Sequence, residues 1–269
     1  MTEDRVGQVA ALFDAVAPTY DQLGVPFFAP IAEHLVDRLS PRAGESVVEL
    51  GCGRGALTVP LARAVGPDGS VRACDVSAAM VALAREAVAD LPHAEVTLMD
   101  ASAPTYEPGT ADVVAASLVL FFLPDPAAAL RRWTGLLVPG GRIGLTTFGT
   151  QDETWSRLDE MFDPWLPPTV LDARTTGKRG PFASDDAFAR LMEETGLTDV
   201  RQDTQTLTVR FEDGSAWQRW TMSVGQRMMW QFVPEDERAG LVARADELLA
   251  DHHDLRQDVR HSVARVPVS

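Results

Sequence analysis

The chain has 269 residues, of which 45% are hydrophobic, so it can bury one large core without disulfide or metal staples. Its formal net charge at pH 7 is −15, which opposes long-range approach to DNA or RNA. The two cysteines, Cys52 and Cys74, are too few for a disulfide framework and indicate a reducing compartment.

Two helices are predicted before the first strand. Apolar residues recur at helical spacing over 6–16 and again over 31–39, where Ser40 and Pro41 end the pattern. The short apolar run over 47–50 then predicts a buried strand.

Three glycines follow this strand, at Gly51, Gly53 and Gly55, with Cys52 inside the turn. Glycine tolerates a positive φ and lets a ligand lie against bare backbone, and the helix that follows offers unpaired N–H groups. The turn therefore predicts a site for a nucleotide-like cofactor. The glycine pattern alone also satisfies the loose dinucleotide fingerprint of nicotinamide enzymes.

Glu49 helps to distinguish these cofactors, because it lies two residues before the first glycine at the carboxyl end of the strand. A carboxylate there can bind an ammonium or sulfonium group, whereas it would repel a pyrophosphate. The alternative is that Glu49 faces solvent at the strand end.

A second acidic residue, Asp75, ends the predicted strand over 71–75. A carboxylate about 20 residues beyond the glycines can bind both ribose hydroxyls, which favours an unphosphorylated ribose over NADP. We expect Asp75 and Val76 to contact the cofactor and Ser77 to cap a helix. Met80, one turn into that helix, either lies on the adenine face or belongs to the core.

The third predicted strand, over 94–99, ends at Asp100 and Ala101. Asp100 can accept a hydrogen bond from the adenine amino group, while the Ala101 N–H donates to a ring nitrogen. The alternative for Asp100 is a loop-capping role.

Strands and helices continue to alternate along the chain. We expect a strand over 111–116, a helix over 126–137 and a strand over 141–147. Short connections and this alternation predict an α/β fold with a doubly wound, mostly parallel sheet. The later elements that we expect are helices over 155–162, 184–195, 215–229 and 234–250, and strands over 200–211 and within 259–266.

A single domain over 1–269 is the simplest organisation, with the N-terminal helices of 1–40 forming part of a lid. Two segments, 151–183 and 212–256, are rich in bulky apolar residues, and we call them the cover. The cover predicts an apolar substrate pocket. The residues that we expect to line it are Phe27, Phe28, Phe122, Trp155, Trp220 and Met228. The alternative is that most of these side chains only attach the cover to the core.

Acidic residues at three successive strand ends are a more specific signal of a cofactor site than any one motif. These residues are Glu49, Asp75 and Asp100. In the segments VVELGCGRG, ACDVS, MDAS, ADVVAASLVLFFLPDP and LLVPGGRIGLTTFG, the chain resembles the class I S-adenosylmethionine-dependent methyltransferases. It is most similar to the ubiquinone/menaquinone type and its small-molecule relatives in bacterial secondary metabolism. The resemblance covers roughly residues 10–150 and implies a seven-stranded, Rossmann-like sheet.

The resemblance also implies roles for individual residues. The glycine turn over 51–55 would pack on the methionine part of S-adenosylmethionine, Asp75 would hold the ribose, and Asp100 with Ala101 would hold adenine. The implied reaction is methyl transfer to an oxygen, nitrogen or carbon of a small, largely apolar metabolite, driven mainly by proximity and orientation.

Further implied roles fall outside the first three strands. Ser117 and Leu118 would line the methionine portion and face the transferred methyl. Tyr20 lies in a segment similar to the family's F-D-x-x-A-x-x-Y-D pattern, whose tyrosine often reaches the cofactor's carboxylate.

No catalytic residue is identified by the sequence, since a general base is optional for methyl transfer. The candidates for a base are Tyr20, His34, His252 and His253, and the sequence does not rank them. We expect no metal, because Ser117 and Phe148 stand at the strand ends where a hard cation would need paired carboxylates.

Two other functions stay open. The same fold and cofactor could serve a cyclisation or rearrangement. A nicotinamide oxidoreductase is disfavoured by Glu49 and by the missing Tyr-x-x-x-Lys pair. Nucleobase methylation is disfavoured because no Asp/Asn-Pro-Pro-aromatic run follows the fourth strand.

The opening residues lack the pattern of a signal peptide, and no window approaches about 18 uninterrupted apolar residues. We therefore expect a cytoplasmic monomer or homodimer that binds a small-molecule substrate, with no membrane or nucleic-acid partner.

Overall fold

The structure is a computed structural model that describes residues 2–23, 25, 27–167 and 180–268. The part of the predicted cover at 168–179 lies outside the described residues. No helix within these ranges is long and apolar enough to cross a membrane.

One sheet runs through the described residues. Its strands are β1 Ser46–Leu50, β2 Ser70–Asp75, β3 Ala94–Leu98, β4 Ala111–Ser117, β5 Leu137–Gln151, β6 Thr198–Arg210 and β7 Asp254–Arg265. Their order across the sheet is β3-β2-β1-β4-β5-β7-β6. Strand β7 is antiparallel to β5 and β6, and the other neighbours pair in parallel. The predicted α/β fold with a doubly wound, mostly parallel sheet is confirmed.

Helices lie on both faces of this sheet. They are α1 Thr2–Val16, α2 Phe28–Leu39, α3 Thr58–Val65, α4 Ala78–Ala87, α5 Pro126–Thr134, α6 Glu153–Glu160, α7 Asp185–Glu194, α8 Gly214–Met222, α9 Arg227–Trp230 and α10 Glu235–Leu249. Apolar residues of α2 and α3 pack on one face of β1, β2 and β4, and α4 packs beside them. Helices α5 and α7 pack on the opposite face.

Serine hydroxyls cap two helix starts, and the cap at Ser77 was predicted. The Ser77 hydroxyl accepts a hydrogen bond from the Met80 N–H at 3.1 Å, and that of Ser184 accepts one from the Ala187 N–H at 3.1 Å. Each satisfies an N–H group that the first helical turn leaves unpaired.

Three predicted boundaries were wrong. The helix expected over 126–137 ends at Thr134, because Leu137 pairs with Ala111 and already belongs to β5. The helix expected over 215–229 is split into α8 and α9, and the Ser223 hydroxyl donates to the Trp220 carbonyl at 2.7 Å where α8 ends. The last strand, expected within 259–266, begins at Asp254.

Candidate cofactor and substrate site

The carboxyl ends of β1, β2 and β4 meet at one edge of the sheet because these strands are parallel. The turn after β1 has φ values of 76° at Gly51, 53° at Gly53 and 92° at Gly55, as predicted for glycine positions. The Gly51 N–H donates to the Cys74 carbonyl at 2.8 Å, and this bond holds the turn against β2.

Glu49 lies just before this turn and is only 1% exposed. Its Oε2 atom has no hydrogen-bond partner among the described residues. Burial raises the pKa of the carboxyl to about 8; the nearby Thr58 hydroxyl lowers it and the charge of Asp75 raises it further. The solvent-facing alternative is therefore wrong. An unpartnered buried carboxylate oxygen fits a cationic ligand group, which would supply the missing partner.

Asp75 lies beside the glycine turn and is 8% exposed. Its Oδ2 accepts from the Gly53 N–H at 2.8 Å, and its Oδ1 accepts from the Ser77 N–H at 2.9 Å. Burial raises the pKa of this carboxyl, against the lowering effect of these backbone donors. Each oxygen retains a second lone pair, so the carboxylate can still accept from ribose hydroxyls. Val76 follows at the start of the loop to α4.

Asp100 has the geometry of the loop-capping alternative. Its two carboxylate oxygens accept from the N–H and the hydroxyl of Ser102, both at 2.7 Å. The carbonyl of Ala101 accepts from the Trp133 indole at 2.7 Å, which anchors the loop to α5. Asp100 is half-buried, and contact with adenine stays a prediction for it and for the Ala101 N–H.

The N-terminal segment is fastened over this edge by two residues that the sequence analysis did not single out. Asp14 of α1 accepts from the Ser77 hydroxyl at 2.5 Å and from the Ala79 N–H at 3.0 Å. Arg54, inside the glycine turn, donates to the carbonyls of Ala17 at 3.2 Å and Tyr20 at 3.0 Å. The glycine turn and the lid are thus directly bonded.

Met80 is fully buried where α1 crosses α4, in one cluster with Val16 and Ala17. This is the core environment that the sequence left as its alternative, and contact with adenine stays a prediction. Tyr20 stacks on Phe28 with ring centroids 4.6 Å apart. Burial raises the pKa of the Tyr20 hydroxyl, and the charges of Asp21 and Asp75 add to the increase. Tyr20 is therefore a hydrogen-bond donor and a poor general base.

At the end of β4 the chain turns sharply through Leu118, which has a φ of 57° and is 7% exposed. A bulky residue in the left-handed region is strained by about 1–3 kcal/mol and persists only where its surroundings hold it. The Leu118 N–H donates to the Thr146 hydroxyl at 2.9 Å, and the Ser117 and Thr146 hydroxyls are 2.9 Å apart. The sequence analysis missed Thr146, which carries no local signal of this long-range contact.

The predicted pocket residues fall into two groups. Phe27, Trp155 and Trp220 are at most 7% exposed and contact one another edge to face, at 5.5 Å for Phe27 with Trp220 and 5.7 Å for Trp155 with Trp220. These three attach the cover to α2. Phe28, Phe122 and Met228 are half-buried and keep accessible surface beside the lid.

The histidine candidates are dispersed. His34 lies on α2 and bonds Asp203 at 2.6 Å. His252 is exposed in the turn before β7, and His253 Nδ1 lies 3.0 Å from the Phe211 carbonyl. No contact between the described residues joins these histidines to Glu49 or Asp75.

A groove of about 620 Å³ opens near the carboxyl end of β5, between β7 and the start of α7. Gln151, Asp258 and Phe182 are among its lining residues. Phe182 contacts Phe121 edge to face at 6.3 Å, and Phe121 packs against the cluster that contains Leu118. The groove therefore adjoins the aromatic residues beyond β4. Within the described ranges, no group of three or more His, Cys, Asp or Glu side chains could hold a metal ion.

A family profile and individual relatives both identify the chain as similar to methyltransferases. The profile of a family described as "Methyltransferase domain" matches residues 47–141. The chain is 36% identical over 253 residues to nocamycin O-methyltransferase from Saccharothrix syringae, a match that covers 90% of each chain. It is 38% identical over 167 residues to aklanonic acid methyltransferase from Streptomyces sp. (strain C5), covering 61% of this chain and 76% of that protein.

Solved structures share the fold at low sequence identity. The [4+2]-cyclase SpnF aligns with a TM-score of 0.56 at 18% identity, over 90% of this chain and 82% of the cyclase. This likeness concerns the fold alone.

Proposed function

The chain belongs to the class I S-adenosylmethionine-dependent methyltransferases, and from this premise we propose that it methylates an oxygen, nitrogen or carbon nucleophile of a small, largely apolar metabolite in bacterial secondary metabolism. One observation carries the cofactor assignment: Glu49 Oε2 is buried without a partner beside the glycine turn. A cationic amino-acid moiety satisfies such an atom once the carboxyl has lost its proton, whereas an ionised pyrophosphate has no donor to offer it.

The residues at the sheet edge fit S-adenosylmethionine. In this proposal Glu49 binds its ammonium group, and the glycine turn over 51–55, Cys52 included, packs on its methionine part. Asp75 and Val76 hold the ribose and its surroundings. A second set of residues completes the site: Tyr20, Met80, Asp100, Ala101, Ser117 and Leu118.

When bound, S-adenosylmethionine supplies a methyl group on a positively charged sulfur. The protein then has to place the acceptor in line with the sulfur–methyl bond, and orientation of this kind can supply roughly 7–11 kcal/mol. Buried aromatic rings of the cover exclude water from the reacting atoms. A general base is needed only for an acceptor of high pKa, and Tyr20 is unsuited to that role.

The acceptor reaches the methyl through the groove beside β5, in this proposal, and lays its apolar part against Phe28, Phe121 and Phe122. Two relatives are named nocamycin O-methyltransferase and aklanonic acid methyltransferase, and these names support an acceptor of metabolite size. Aklanonic acid is accordingly the first acceptor to assay.

Calorimetric titration tests the cofactor assignment. We expect S-adenosylhomocysteine to bind with micromolar or tighter affinity and NADH not to bind. Asp75→Ala should weaken S-adenosylhomocysteine binding at least about tenfold, since it removes a charged acceptor for the ribose hydroxyls. Unchanged affinity in that variant would contradict the ribose assignment.

Methyl-labelled S-adenosylmethionine tests the reaction. Label that appears in aklanonic acid or another apolar metabolite supports methyl transfer. Because the same fold also occurs in a [4+2]-cyclase, an enzyme that converts a metabolite while the bound cofactor keeps its label would favour the rearrangement alternative.

A further inference from the structure

The turn after β4 has a conformation that its own sequence does not favour. Leu118 is neither glycine nor asparagine, yet it holds a φ of 57° while its side chain is 7% exposed. Strain of this kind persists where surrounding contacts fix it, and it clusters at functional sites. The question is therefore which contacts fix this turn.

Thr146 supplies the fixing contacts from the neighbouring strand. Its hydroxyl accepts from the Leu118 N–H at 2.9 Å, and its carbonyl accepts from the same N–H at 3.2 Å. The same hydroxyl lies 2.9 Å from that of Ser117. Thr146 is 1% exposed, so solvent does not compete for these bonds.

The turn that Thr146 holds separates two parts of the site. On one side, the Val119 side chain occupies the space that a β-carbon on Gly51 would fill. On the other side, Leu118 packs in the aromatic cluster that contains Phe27 and Trp220. The backbone at Leu118 thus fixes the separation between the glycine turn and the cover.

Thr146 is also part of a polar row that crosses the sheet. Ser117 pairs with Thr146, Thr146 with His261, and His261 with Asp203, so one side chain from each of β4, β5, β7 and β6 lies in line. The face concerned is the one covered by α2, since the ring of His34 on that helix contacts the ring of His261 at a tilt of 56°, with centroids 4.3 Å apart.

The protonation of His261 follows from its neighbour Gln205. The Gln205 Nε2 donates to the Pro30 carbonyl at 3.2 Å, so its Oε1 faces the His261 Nε2, 3.0 Å away. Nε2 therefore carries the proton and Nδ1 is an acceptor, without a partner among the described residues. Thr146 of β5 pairs with His261 of β7, and paired residues on antiparallel strands lie side by side. The His261 ring therefore places a polar group next to Thr146.

We propose that Thr146 is a positioning residue for methyl transfer, which acts by holding Leu118 in its left-handed conformation between the cofactor and the acceptor. This inference rests on the proposed function. Thr146 contacts neither ligand; its hydroxyl sets the turn against which the transferred methyl lies.

Three variants separate this role from a general loss of packing. Thr146→Val keeps the shape and removes the hydroxyl, and Thr146→Ser restores it. Thr147→Val is the matched control, since Thr147 follows on the same strand and its buried hydroxyl accepts from Arg260 at 3.1 Å, on the opposite face.

The probe is S-adenosylmethionine labelled with ¹³C on its methyl group, which requires no acceptor. We expect Thr146→Val to move the bound methyl resonance away from its position in the parent, while calorimetric affinity stays within about threefold. Thr146→Ser should return the resonance, and Thr147→Val should leave it in place. With an acceptor found by the labelling assay, Thr146→Val should lower kcat by about 10- to 100-fold with little change in KM.

An unmoved methyl resonance in Thr146→Val, or an equal shift in Thr147→Val, would overturn the positioning role. A parent protein that binds no S-adenosylmethionine would instead contradict the proposed function. The two failures are therefore distinguishable in one set of spectra.

Discussion

The side chain of Val119 occupies the position where Gly51 would carry a β-carbon, with Val119 Cγ1 2.9 Å from that point. The φ of Gly51 is also positive, at 76°. Two separate features therefore require glycine at position 51. Its φ is positive, and Val119 leaves no room for a β-carbon.

Gly51→Ala should destabilise the protein by about 2 kcal/mol or more, because it adds the clash to the cost of a left-handed alanine. Urea unfolding measures this loss. Gly109→Ala is the control, since Gly109 has a φ of 65° and open space around its β-position. We expect Val119→Ala to restore part of the stability of Gly51→Ala; equal losses in the Gly51 and Gly109 variants would contradict the role of Val119.

Glu49→Gln should make the ligand-free protein more stable and abolish most cofactor binding. The pKa of Glu49 is about 8 in the folded protein, whereas the ordinary pKa of a glutamate is 4.5. As pH rises from 4.5 to 8, the unfolded chain loses a proton that the folded protein keeps at Glu49, so the contribution of this residue to stability falls across that window. The gain from the substitution at pH 7 should be on the order of 2–3 kcal/mol, measured by urea unfolding. A less stable variant at pH 7 would refute this account.

Cofactor affinity should depend on pH through the same residue. From pH 6 to 7.5 the ammonium of S-adenosylhomocysteine stays mainly protonated, because an α-amino group titrates at about 7.7–8.0. The Glu49 carboxyl, with a pKa of about 8, must lose its proton when it binds that ammonium. Affinity should therefore rise with pH by up to about tenfold per unit. Calorimetry in two buffers of different ionisation enthalpy detects the released proton, and the residual binding of Glu49→Gln, measured at high ligand concentration, should release none.

The sequence predicted the parts of the fold that local patterns define. Strands β1, β2 and β4 were placed to within one residue. The apolar run of β1 ends at Gly51 and that of β2 ends at Asp75, so both carry a local end signal. The start of β5 was missed, since Leu137 is a strand residue only through its pairing with Ala111 across the sheet. The break between α8 and α9 was missed because the apolar periodicity continues through Ser223.

The residues of the site also fall into those that a local sequence pattern predicts and those that only long-range contacts reveal. Glu49, Asp75 and the glycine turn carry local signatures, and the structure brings them together at one sheet edge. The bonds from Arg54 to the lid and from Thr146 to the turn after β4 join residues at least 28 positions apart. No window of the sequence reports such pairs, so only the assembled fold reveals them.

His261 should contribute a loss of stability in acid, opposite in direction to the contribution of Glu49. Burial lowers the pKa of this histidine to about 4, and His34 and Arg38 add to the lowering while Asp203 opposes it. Between pH 6.5 and 4 the unfolded chain binds a proton that the folded protein does not bind at His261, so the contribution of this residue to stability is lost as pH falls through this window, by up to about 3 kcal/mol. His261→Gln should remove this pH-dependent loss in urea unfolding. His252→Gln, at an exposed site, should keep the profile of the parent.

Arg54→Met should loosen the lid without removing any residue that we place on the cofactor's polar groups. Its guanidinium joins the glycine turn to the carbonyls of Ala17 and Tyr20, and methionine keeps the apolar stem while losing both bonds. We expect amide hydrogen exchange in α1 to accelerate, and S-adenosylhomocysteine to dissociate about 5- to 20-fold faster with a matching rise in Kd.

Arg63→Met is the control for charge and length, because Arg63 lies exposed on α3, one helix away from the lid. A lid held mainly by Asp14 would show a different pattern: Asp14→Asn would accelerate exchange and Arg54→Met would not. If the contacts of Asp14 and of Arg54 both hold the lid, each substitution alone should accelerate amide exchange, since loss of either contact exposes the same N-terminal segment. Amide exchange in the double variant is then compared with that in each single variant. An acceleration equal to that of the stronger single variant would show that the lid opens as one unit, because loss of one bond already frees the segment that the other bond fixes.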